Sequence, residues 1–225
     1  MSSKDNKKKR RKGYFFYYFV KITGALPMLL FFRPKKIRVS HTKPDKIKGA
    51  ALISANHMSF LDPIIVNCVF WRRRVRFLAT KDLYSTKLKA WFFNSLHCIE
   101  VDKENFSMRS MHEVCDALQN GEAISIFPEG MVNRDEQKGV LSFKWGAALM
   151  ATKGNAPIVP VYLIKRKHWY HRQVVVLGDP IDLKEVCGEK PTLADLQKAS
   201  EYLHEKEEAL AEYYRALTEK KKKRE

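Results

Sequence analysis

A histidine and an aspartate five residues apart form the first candidate site in this chain. His57 follows a short apolar run at residues 50–55, and Asp62 lies at the expected start of the next helix. A carboxylate that binds one imidazole nitrogen fixes the tautomer and leaves the other nitrogen available as a base. The pair therefore predicts general-base chemistry, in which the carboxylate also stabilises the imidazolium formed on proton uptake.

The sequence offers no recognisable nucleophile to accompany this pair. It contains no GxSxG motif, and its cysteines are scattered without a nucleophile or zinc-binding pattern: Cys68, Cys98, Cys115 and Cys187. The hydroxyl of an acceptor substrate is then the expected nucleophile. Scattered cysteines also indicate reduced thiols in a cytosolic setting.

A second polar loop, residues 127–130, reads Phe-Pro-Glu-Gly. Its glycine permits a tight turn and a close approach by the backbone. Simpler roles also fit each motif taken alone: His57 as an ordinary loop residue, Asp62 as a helix N-cap with Ser59 as the alternative, and residues 127–130 as a turn.

Alternating strands and helices are expected to position these loops. Strand-like and helix-like apolar patterns alternate from residue 50 to residue 177, and a long amphipathic helix opens at Thr192. This alternation predicts an α/β fold with a mixed, largely buried sheet flanked by helices. His57 would then lie at the carboxyl edge of the sheet, where α/β enzymes place their sites. Pro160, within the run 156–163, predicts an edge strand or a bulge.

The N-terminus differs from the rest of the chain in charge. The net charge is +17, and residues 1–50 carry 15 Lys and Arg against 2 acids, whereas the other 175 residues carry 27 against 23. Such a distribution argues against a domain whose whole surface follows nucleic acid, and no nucleic acid is expected as a partner. It favours an anionic membrane surface, with a solvated tail as the alternative.

An aromatic, apolar stretch at residues 14–32 follows the basic run. As a helix it would be about 28 Å long, against a hydrocarbon core of about 30 Å, and Lys21, Gly24 and Pro27 interrupt it. We expect a broken helix lying in the interface, with a true span and a buried core helix as alternatives. Residues 1–38 are thus expected to form a membrane-anchoring segment at the cytoplasmic face, and residues 39–225 a catalytic domain.

Four runs of this sequence resemble the glycerolipid acyltransferase family, which includes the lysophosphatidate acyltransferases. Residues 56–62, NHMSFLD, resemble its NHxxxxD block, and residues 127–130 resemble its FPEGTR block. Residues 99–103 fall where the family has an apolar strand ending in arginine, and residues 156–161 are similar to its final proline-containing strand. The resemblance covers roughly residues 50 to 165.

The resemblance implies transfer of a fatty acyl group from acyl-CoA or acyl-ACP to a free hydroxyl of a lysophospholipid. By resemblance, His57 deprotonates that hydroxyl, Asp62 orients His57, and the activated oxygen attacks the thioester carbonyl. The scheme requires no metal and no cofactor beyond the thioester co-substrate. It also places Glu129 and Gly130 in the acceptor-binding loop.

Departures from the family pattern bear on the acceptor. Met131 and Val132 replace the family's threonine and arginine, and Lys103 replaces an arginine. Arginine holds a phosphate with a two-pronged fork, whereas lysine offers a point charge. Arg134 or Lys144 can take over the missing role, although a solvated surface charge explains each equally well.

Three functions follow from these patterns. The leading one is acylation of lysophosphatidate in phospholipid biosynthesis, and the alternative is acylation of another lysolipid or an amino-acid-linked lipid. A catalytically silent membrane-binding module is the third, against which the intact residues His57, Asp62 and Glu129 argue. His97, where the family often has glycine, is interpreted as structural.

Overall fold

The computed structural model of this chain describes residues 14–102, 107–133, 139–166, 168, 170–188 and 190–223. The strands are β1 (Lys35–Arg38), β2 (Ala51–Ala55), β3 (Val75–Thr80), β4 (Ile99–Val101), β5 (Ala123–Ile126), β6 (Ile158–Leu163) and β7 (Val174–Leu177). The helices are α1 (Phe15–Thr23), α2 (Ala25–Phe32), α3 (Asp62–Val69), α4 (Lys87–Ser95), α5 (Met108–Gln119), α6 (Gly146–Gly154), α7 (Lys184–Cys187) and α8 (Leu193–Lys222).

The described strands form one sheet in the order β1-β7-β6-β2-β5-β3-β4. Its pairs are parallel except β6–β7, which is antiparallel. Alternate residues of β2 face opposite layers: Leu52 lies in the core with α5, α6 and α8, and Ile53 in the core with α2 and α3. The predicted mixed, largely buried α/β sheet flanked by helices is confirmed.

Pro160 does not lie in an edge strand, so that alternative is wrong, whereas the irregular ladder beside it agrees with the predicted bulge. β6 lies between β2 and β7. The β6–β7 ladder begins at Val161, opposite Leu177, and the next pairing joins Ile158 to Ile181, so the two intervening residues on one side oppose three on the other. The ladder is therefore irregular where proline lacks its N–H, which is how an interior strand accommodates it.

Residues 14–32 form two helices separated at Gly24, as the predicted broken helix requires. By length and composition alone, Phe15–Phe32 could cross a membrane, and 18% of it is buried. Tyr17 packs it onto the sheet layer, because its hydroxyl accepts a hydrogen bond from the backbone N–H of Val75 at 3.1 Å. The basic run at residues 4–12 lies outside the described residues.

The sheet begins inside the segment that the sequence assigns to the membrane anchor. Residues Lys35–Arg38 pair with Val174–Leu177 as β1. Lys36 and Arg38 contact the buried carboxylate of Asp45 at 3.0 and 2.8 Å. These two cations therefore share one carboxylate within the fold, and the helical part of the segment ends at Phe32.

His97 adopts a conformation that glycine favours. Its φ is +58°, in the left-handed region, and its ring lies over that of Tyr14, with centroids 4.0 Å apart. The position follows α4 and precedes β4, so the backbone turns sharply there. The positive φ explains why glycine would suit this position, and the packing of the ring on Tyr14 agrees with the structural role expected of His97.

Candidate active site

The two polar loops meet because their strands are parallel neighbours. β2 delivers residues 56–62 and β5 delivers residues 127–130 to the same carboxyl edge of the sheet. Asn56 fixes the exit from β2: its Nδ2 donates to the Leu163 carbonyl at 3.2 Å, and the Leu163 N–H donates to its Oδ1 at 2.7 Å. The chain therefore leaves the sheet at a fixed point, one residue before His57.

The structure brings His57 and Asp62 into direct contact. His57 Nδ1 lies 2.8 Å from Asp62 Oδ2, and the carboxylate is 2% exposed. The same oxygen accepts hydrogen bonds from the backbone N–H groups of Met58 and Ser59, at 2.6 and 2.7 Å. With two donors already directed at it, the carboxylate acts as the acceptor for a third, so the imidazole carries its proton on Nδ1.

Asp62 is the first residue of α3 and not its N-cap, so the sequence-based cap assignment is wrong. The residue before the helix is Leu61, and no side chain caps the helix there. The Asp62 carboxylate turns back toward the loop and binds N–H groups on its N-terminal side. Ser59 Oγ accepts from the Leu61 N–H at 3.2 Å and likewise stabilises the loop.

The orientation of the His57 ring is fixed on a second side. The Phe127 ring stacks on it, with centroids 4.2 Å apart and planes 20° apart. The His57 side chain is 17% exposed. Since Asp62 holds Nδ1, Nε2 is the ring nitrogen available to a substrate.

The Phe-Pro-Glu-Gly loop holds the backbone of the histidine. The His57 N–H donates to Glu129 Oε1 at 3.2 Å, and the Asn133 N–H donates to the His57 carbonyl at 2.6 Å. A turn shapes the loop, because the Gly130 N–H donates to the Phe127 carbonyl at 3.0 Å. The second loop therefore acts on the first through its main chain.

Glu129 is 5% exposed, and its carboxyl group has an unusual acidity. Burial raises the pKa of Glu129 to about 7, although the backbone N–H groups of His57 and Leu141 lower it. Positive charge on the His57 ring also lowers this pKa, whereas the charge of Asp62 raises it. Glu129 thus titrates near neutrality and faces the histidine backbone, which leaves little carboxylate surface for an acceptor.

The other expected substrate-binding residues have different outcomes. Lys103 and Arg134 lie outside the described residues. Gly130 has φ +70°, and a Cβ there would lie 3.3 Å from Lys144 Cε. The exposed Lys144 side chain therefore runs along the turn, and the backbone N–H of Lys144 donates to the Pro128 carbonyl at 3.2 Å.

A cleft of about 280 Å³ beside Asp62 contains two cationic residues that the sequence analysis missed. Lys165 and Arg166 line it, with the Arg166 guanidinium 4.6 Å from the centroid of the Phe32 ring. Both follow β6, which lies next to β2 and ends at the same edge. Their position depends on the pairing of β6 with β2, which no local sequence pattern indicates.

Glu207 was also missed, although the sequence contains a signal for it. It is fully buried in α8, and the Ser54 hydroxyl of β2 donates to its Oε1 at 2.5 Å. Burial raises the pKa of Glu207 well above its ordinary value, against the effect of the Ser54 hydrogen bond, and the charge of Glu129 raises it further. Leu196, Leu203, Glu207 and Leu210 follow helical spacing, so an acid at a core position was visible in the pattern.

The described residues place no thiolate near this site. Burial raises the pKa values of Cys68 and Cys98 to about 11, so both thiols stay protonated at neutral pH. Within the described ranges, no group of three His, Cys, Asp or Glu side chains is arranged to hold a metal ion. The chemistry that the geometry favours is abstraction of a proton by His57 Nε2 from a bound hydroxyl group.

Comparisons with known proteins give a consistent family. A model of the Acyltransferase family matches residues 36–164, a range that contains both loops. A probable 1-acyl-sn-glycerol-3-phosphate acyltransferase of Mycoplasma pneumoniae is 30% identical over 145 residues, which are 60% of this chain and 52% of that protein. The 1-acyl-sn-glycerol-3-phosphate acyltransferase of Bacillus subtilis is 28% identical over 109 residues, 48% of this chain and 53% of that protein. The matches thus span about half the length of these relatives.

A solved structure shares the fold. The crystal structure of the 1-acyl-sn-glycerophosphate acyltransferase PlsC from Thermotoga maritima matches with a TM-score of 0.60 and 19% identity, covering 92% of this chain and 83% of that chain. At this identity the match shows the fold alone. It extends beyond the family model to most of the described helices and strands.

Proposed function

Because the chain belongs to the Acyltransferase family, as its two loops predicted, we propose that it transfers a fatty acyl group from an acyl thioester to the free hydroxyl of lysophosphatidate. The observation that carries the proposal is the contact of His57 Nδ1 with the buried Asp62 carboxylate, at 2.8 Å. The names of the relatives from Mycoplasma pneumoniae and Bacillus subtilis support lysophosphatidate as the acceptor.

His57 Nε2 takes the proton of the acceptor hydroxyl as its oxygen attacks the thioester carbonyl carbon. Asp62 stabilises the imidazolium that results, since its charge lies against Nδ1. The tetrahedral intermediate then collapses, the carbon–sulfur bond breaks, and the imidazolium returns the proton to the departing thiolate. The acyl group thus ends on the acceptor oxygen and the proton on the thiol, and the scheme requires no covalent acyl-enzyme and no metal or cofactor.

We assign Glu129 a positioning role within this scheme. Its carboxylate holds the His57 N–H and is nearly inaccessible, so it acts on the acceptor through the histidine loop. The acceptor phosphate requires cations, and Lys144, Lys165 and Arg166 lie at this edge of the sheet. For Lys103 and Arg134, phosphate binding remains a prediction. Gly130 supports the loop that Lys144 contacts.

Membrane association at the cytoplasmic face is part of the same proposal, because lysophospholipid acceptors reside in membranes. α1 presents Phe15, Phe19 and Ile22 on its surface, 78%, 53% and 60% exposed. These residues have the spacing of one helical face, while Tyr17 packs the other face onto the domain. A helix held against the domain along one side fits a position in the membrane interface better than a span.

A second acceptor class is favoured by one observation. Met131, which stands in place of the family's threonine, is 61% exposed beside the turn at Gly130, and Val132 follows it in place of arginine. An apolar side chain at this point suits a lysolipid or amino-acid-linked lipid whose head group has less negative charge. Such an acceptor would use the same base and the same acyl transfer.

Product analysis by mass spectrometry tests the proposal. The protein in mixed micelles is offered lysophosphatidate, lysophosphatidylcholine, lysophosphatidylglycerol and an amino-acid-linked lysolipid, each with acyl-CoA and with acyl-ACP. We expect phosphatidate as the main product, loss of it in His57→Ala, and retention in His112→Ala, which removes an exposed histidine of α5. Turnover in His57→Ala would disprove the base assignment, and preference for another acceptor would select the second class.

A further inference from the structure

A basic and aromatic pocket lies at the edge of the sheet opposite His57. Residues 71–74 immediately precede β3, which runs parallel to β5 and hence to β2. They therefore lie at the amino edge, whereas His57 follows β2 at the carboxyl edge. The pocket has a volume of about 200 Å³ and is lined by Tyr18, Lys21, Ile22, Trp71 and the run Arg72–Arg74.

Lys21 is the most unusual member of this pocket. It is 8% exposed, and its ammonium group donates to the Arg73 carbonyl oxygen. Its Nζ also lies 5.6 Å from the centroids of the Tyr17 and Trp71 rings. Burial, together with the smaller effect of the charge of Arg74, lowers the pKa of Lys21 to about 8. Among the described residues, one carbonyl and two rings hold this buried cation, without the carboxylate that usually accompanies a buried cation.

The three arginines differ in their contacts. Arg73 is structural, because its guanidinium binds the carbonyl oxygens of Ile47, Gly49 and Gly121 and so fixes the turn before β3. Arg72 and Arg74 are exposed, and neither forms an ion pair within the part of the chain that the structure describes. The Arg74 guanidinium lies 4.2 Å from the centroid of the Tyr14 ring, an orientation that fixes the side chain without neutralising it.

Three cations around one cleft form a site that is complementary to phosphate. Arginine binds phosphate oxygens through two parallel hydrogen bonds, and lysine adds a point charge. The cleft also adjoins the exposed apolar face of α1, since Ile22 belongs to both. A phospholipid satisfies both features, because its phosphate can bind Arg72 while its acyl chains cover Ile22. Polybasic segments bind the anionic head groups of lipid bilayers in the same way.

We propose that Lys21, Arg72 and Arg74 form a binding site for the phosphate group of an anionic phospholipid, separate from the acyl-transfer site. This site holds α1 at the membrane surface and takes a lipid that is not a substrate. It does not depend on the proposed reaction, because none of its residues lies at the carboxyl edge of the sheet.

Vesicle binding tests this assignment with a matched pair of variants. Arg72→Gln/Arg74→Gln removes two charges from the pocket, and Lys190→Gln/Lys198→Gln removes two exposed charges near the start of α8. Partition of the full chain into phosphatidylglycerol and phosphatidylcholine vesicles is measured at one ionic strength. We expect the arginine pair to weaken binding to phosphatidylglycerol by about tenfold or more, the lysine pair by less than about twofold, and neither to alter binding to phosphatidylcholine. Equal losses in the two double variants would overturn the proposal.

Trp71 provides a local reporter. Its fluorescence is obtained as the difference between the parent and Trp71→Phe, and we expect a change with phosphatidylglycerol vesicles that phosphatidylcholine vesicles do not produce. An equal change with millimolar inorganic phosphate would identify free phosphate as the occupant and overturn the lipid assignment. Circular dichroism checks the fold. Acyl transfer to lysophosphatidate in micelles stays unchanged in Arg72→Gln/Arg74→Gln, so failure of this site and failure of the proposed reaction give different results.

Discussion

The backbone N–H of His57 donates a hydrogen bond to Oε1 of Glu129, 3.2 Å away, although 72 residues separate the two in the chain. Through this bond, the Glu129 side chain helps to fix the backbone of His57, the candidate base. Burial raises the pKa of the same carboxyl group to about 7. The protonation state of Glu129 is therefore coupled to the position of the histidine main chain.

The first prediction concerns the pH dependence of stability. Glu129 has an ordinary pKa of 4.5 when unfolded and about 7 when folded, so the folded state binds more protons between these values. As pH rises through this window, the group lowers the free energy of unfolding by about 3 kcal/mol, and the penalty is complete above pH 7. Glu129→Gln has no carboxyl group to titrate at this position. Its free energy of unfolding relative to the parent should therefore rise by a similar amount between pH 4.5 and pH 8.

Urea unfolding at a series of pH values measures this difference. Glu201→Gln, which replaces an exposed glutamate of α8, serves as the control and should follow the parent curve. A constant difference between Glu129→Gln and the parent across the window would contradict the raised pKa. Since glutamine still accepts the His57 N–H, the variant should keep a folded site.

The second prediction concerns the three donors that converge on one oxygen of Asp62. The backbone N–H groups of Met58 and Ser59 and the Nδ1 of His57 all lie within 2.8 Å of Oδ2. Asp62→Asn removes the charge that stabilises the imidazolium, so turnover should fall by about 10²- to 10⁴-fold. The weaker acceptor should also lower the free energy of unfolding by about 1–3 kcal/mol.

Steady-state kinetics and chemical unfolding measure these two effects separately. Asp182→Asn provides a comparison, because exposed Asp182 accepts a hydrogen bond from the backbone N–H of Lys184 at 3.0 Å. It should lose a little stability and no activity. If Asp62→Asn kept more than a tenth of the parent turnover, the orienting role of Asp62 would have to be abandoned.

The third prediction separates backbone strain from a local effect at the second loop. Gly130 and Gly139 have φ values of +70° and +63°, but only at Gly130 would a Cβ approach a side chain, 3.3 Å from Lys144 Cε. Alanine at either position should lower the free energy of unfolding by about 1 kcal/mol, because the left-handed region disfavours it. Only Gly130→Ala should also displace Lys144 and raise the KM for lysophosphatidate severalfold.

Initial rates over a range of acceptor concentrations test this distinction. A raised KM with nearly constant kcat in Gly130→Ala, and unchanged kinetics in Gly139→Ala, would support a role for Lys144 in acceptor binding. Equal kinetic effects in the two variants would mean that loop strain alone is responsible.

Local sequence patterns predicted much of the fold and part of the site. The strand at residues 51–55 and the residues that follow it were predictable, because His57 and Asp62 lie five residues apart in one loop. The direction of the Asp62 carboxylate was not, since a residue at a helix start can bind either the helix or the preceding loop. Only the contacts in the fold decide between the two, and here the Asp62 carboxylate binds the loop N–H groups of Met58 and Ser59.

Sheet order was the main obstacle for the remaining residues. Pro160 suggested an edge strand or a bulge, and the irregular ladder allows β6 to lie in the interior of the sheet beside β2. Only that neighbourhood brings Lys165 and Arg166 to the carboxyl edge near His57. Pairing between strands distant in sequence depends on the whole fold, so no local pattern contained it.

The last prediction concerns the buried pair of Ser54 and Glu207, which joins β2 to α8. Burial raises the pKa of Glu207 well above its ordinary value and so favours the protonated form, whose Oε1 accepts a hydrogen bond from the Ser54 hydroxyl. Ser54→Ala removes this bond in a fully buried setting and should lower the free energy of unfolding by about 1–2 kcal/mol. Glu207→Gln keeps the acceptor and should have a smaller effect at neutral pH. In a double-mutant cycle with Glu207→Leu, which removes the acceptor, the coupling energy between Ser54 and Glu207 should be about 1 kcal/mol. Strict additivity in urea unfolding would show that the 2.5 Å contact contributes nothing to stability.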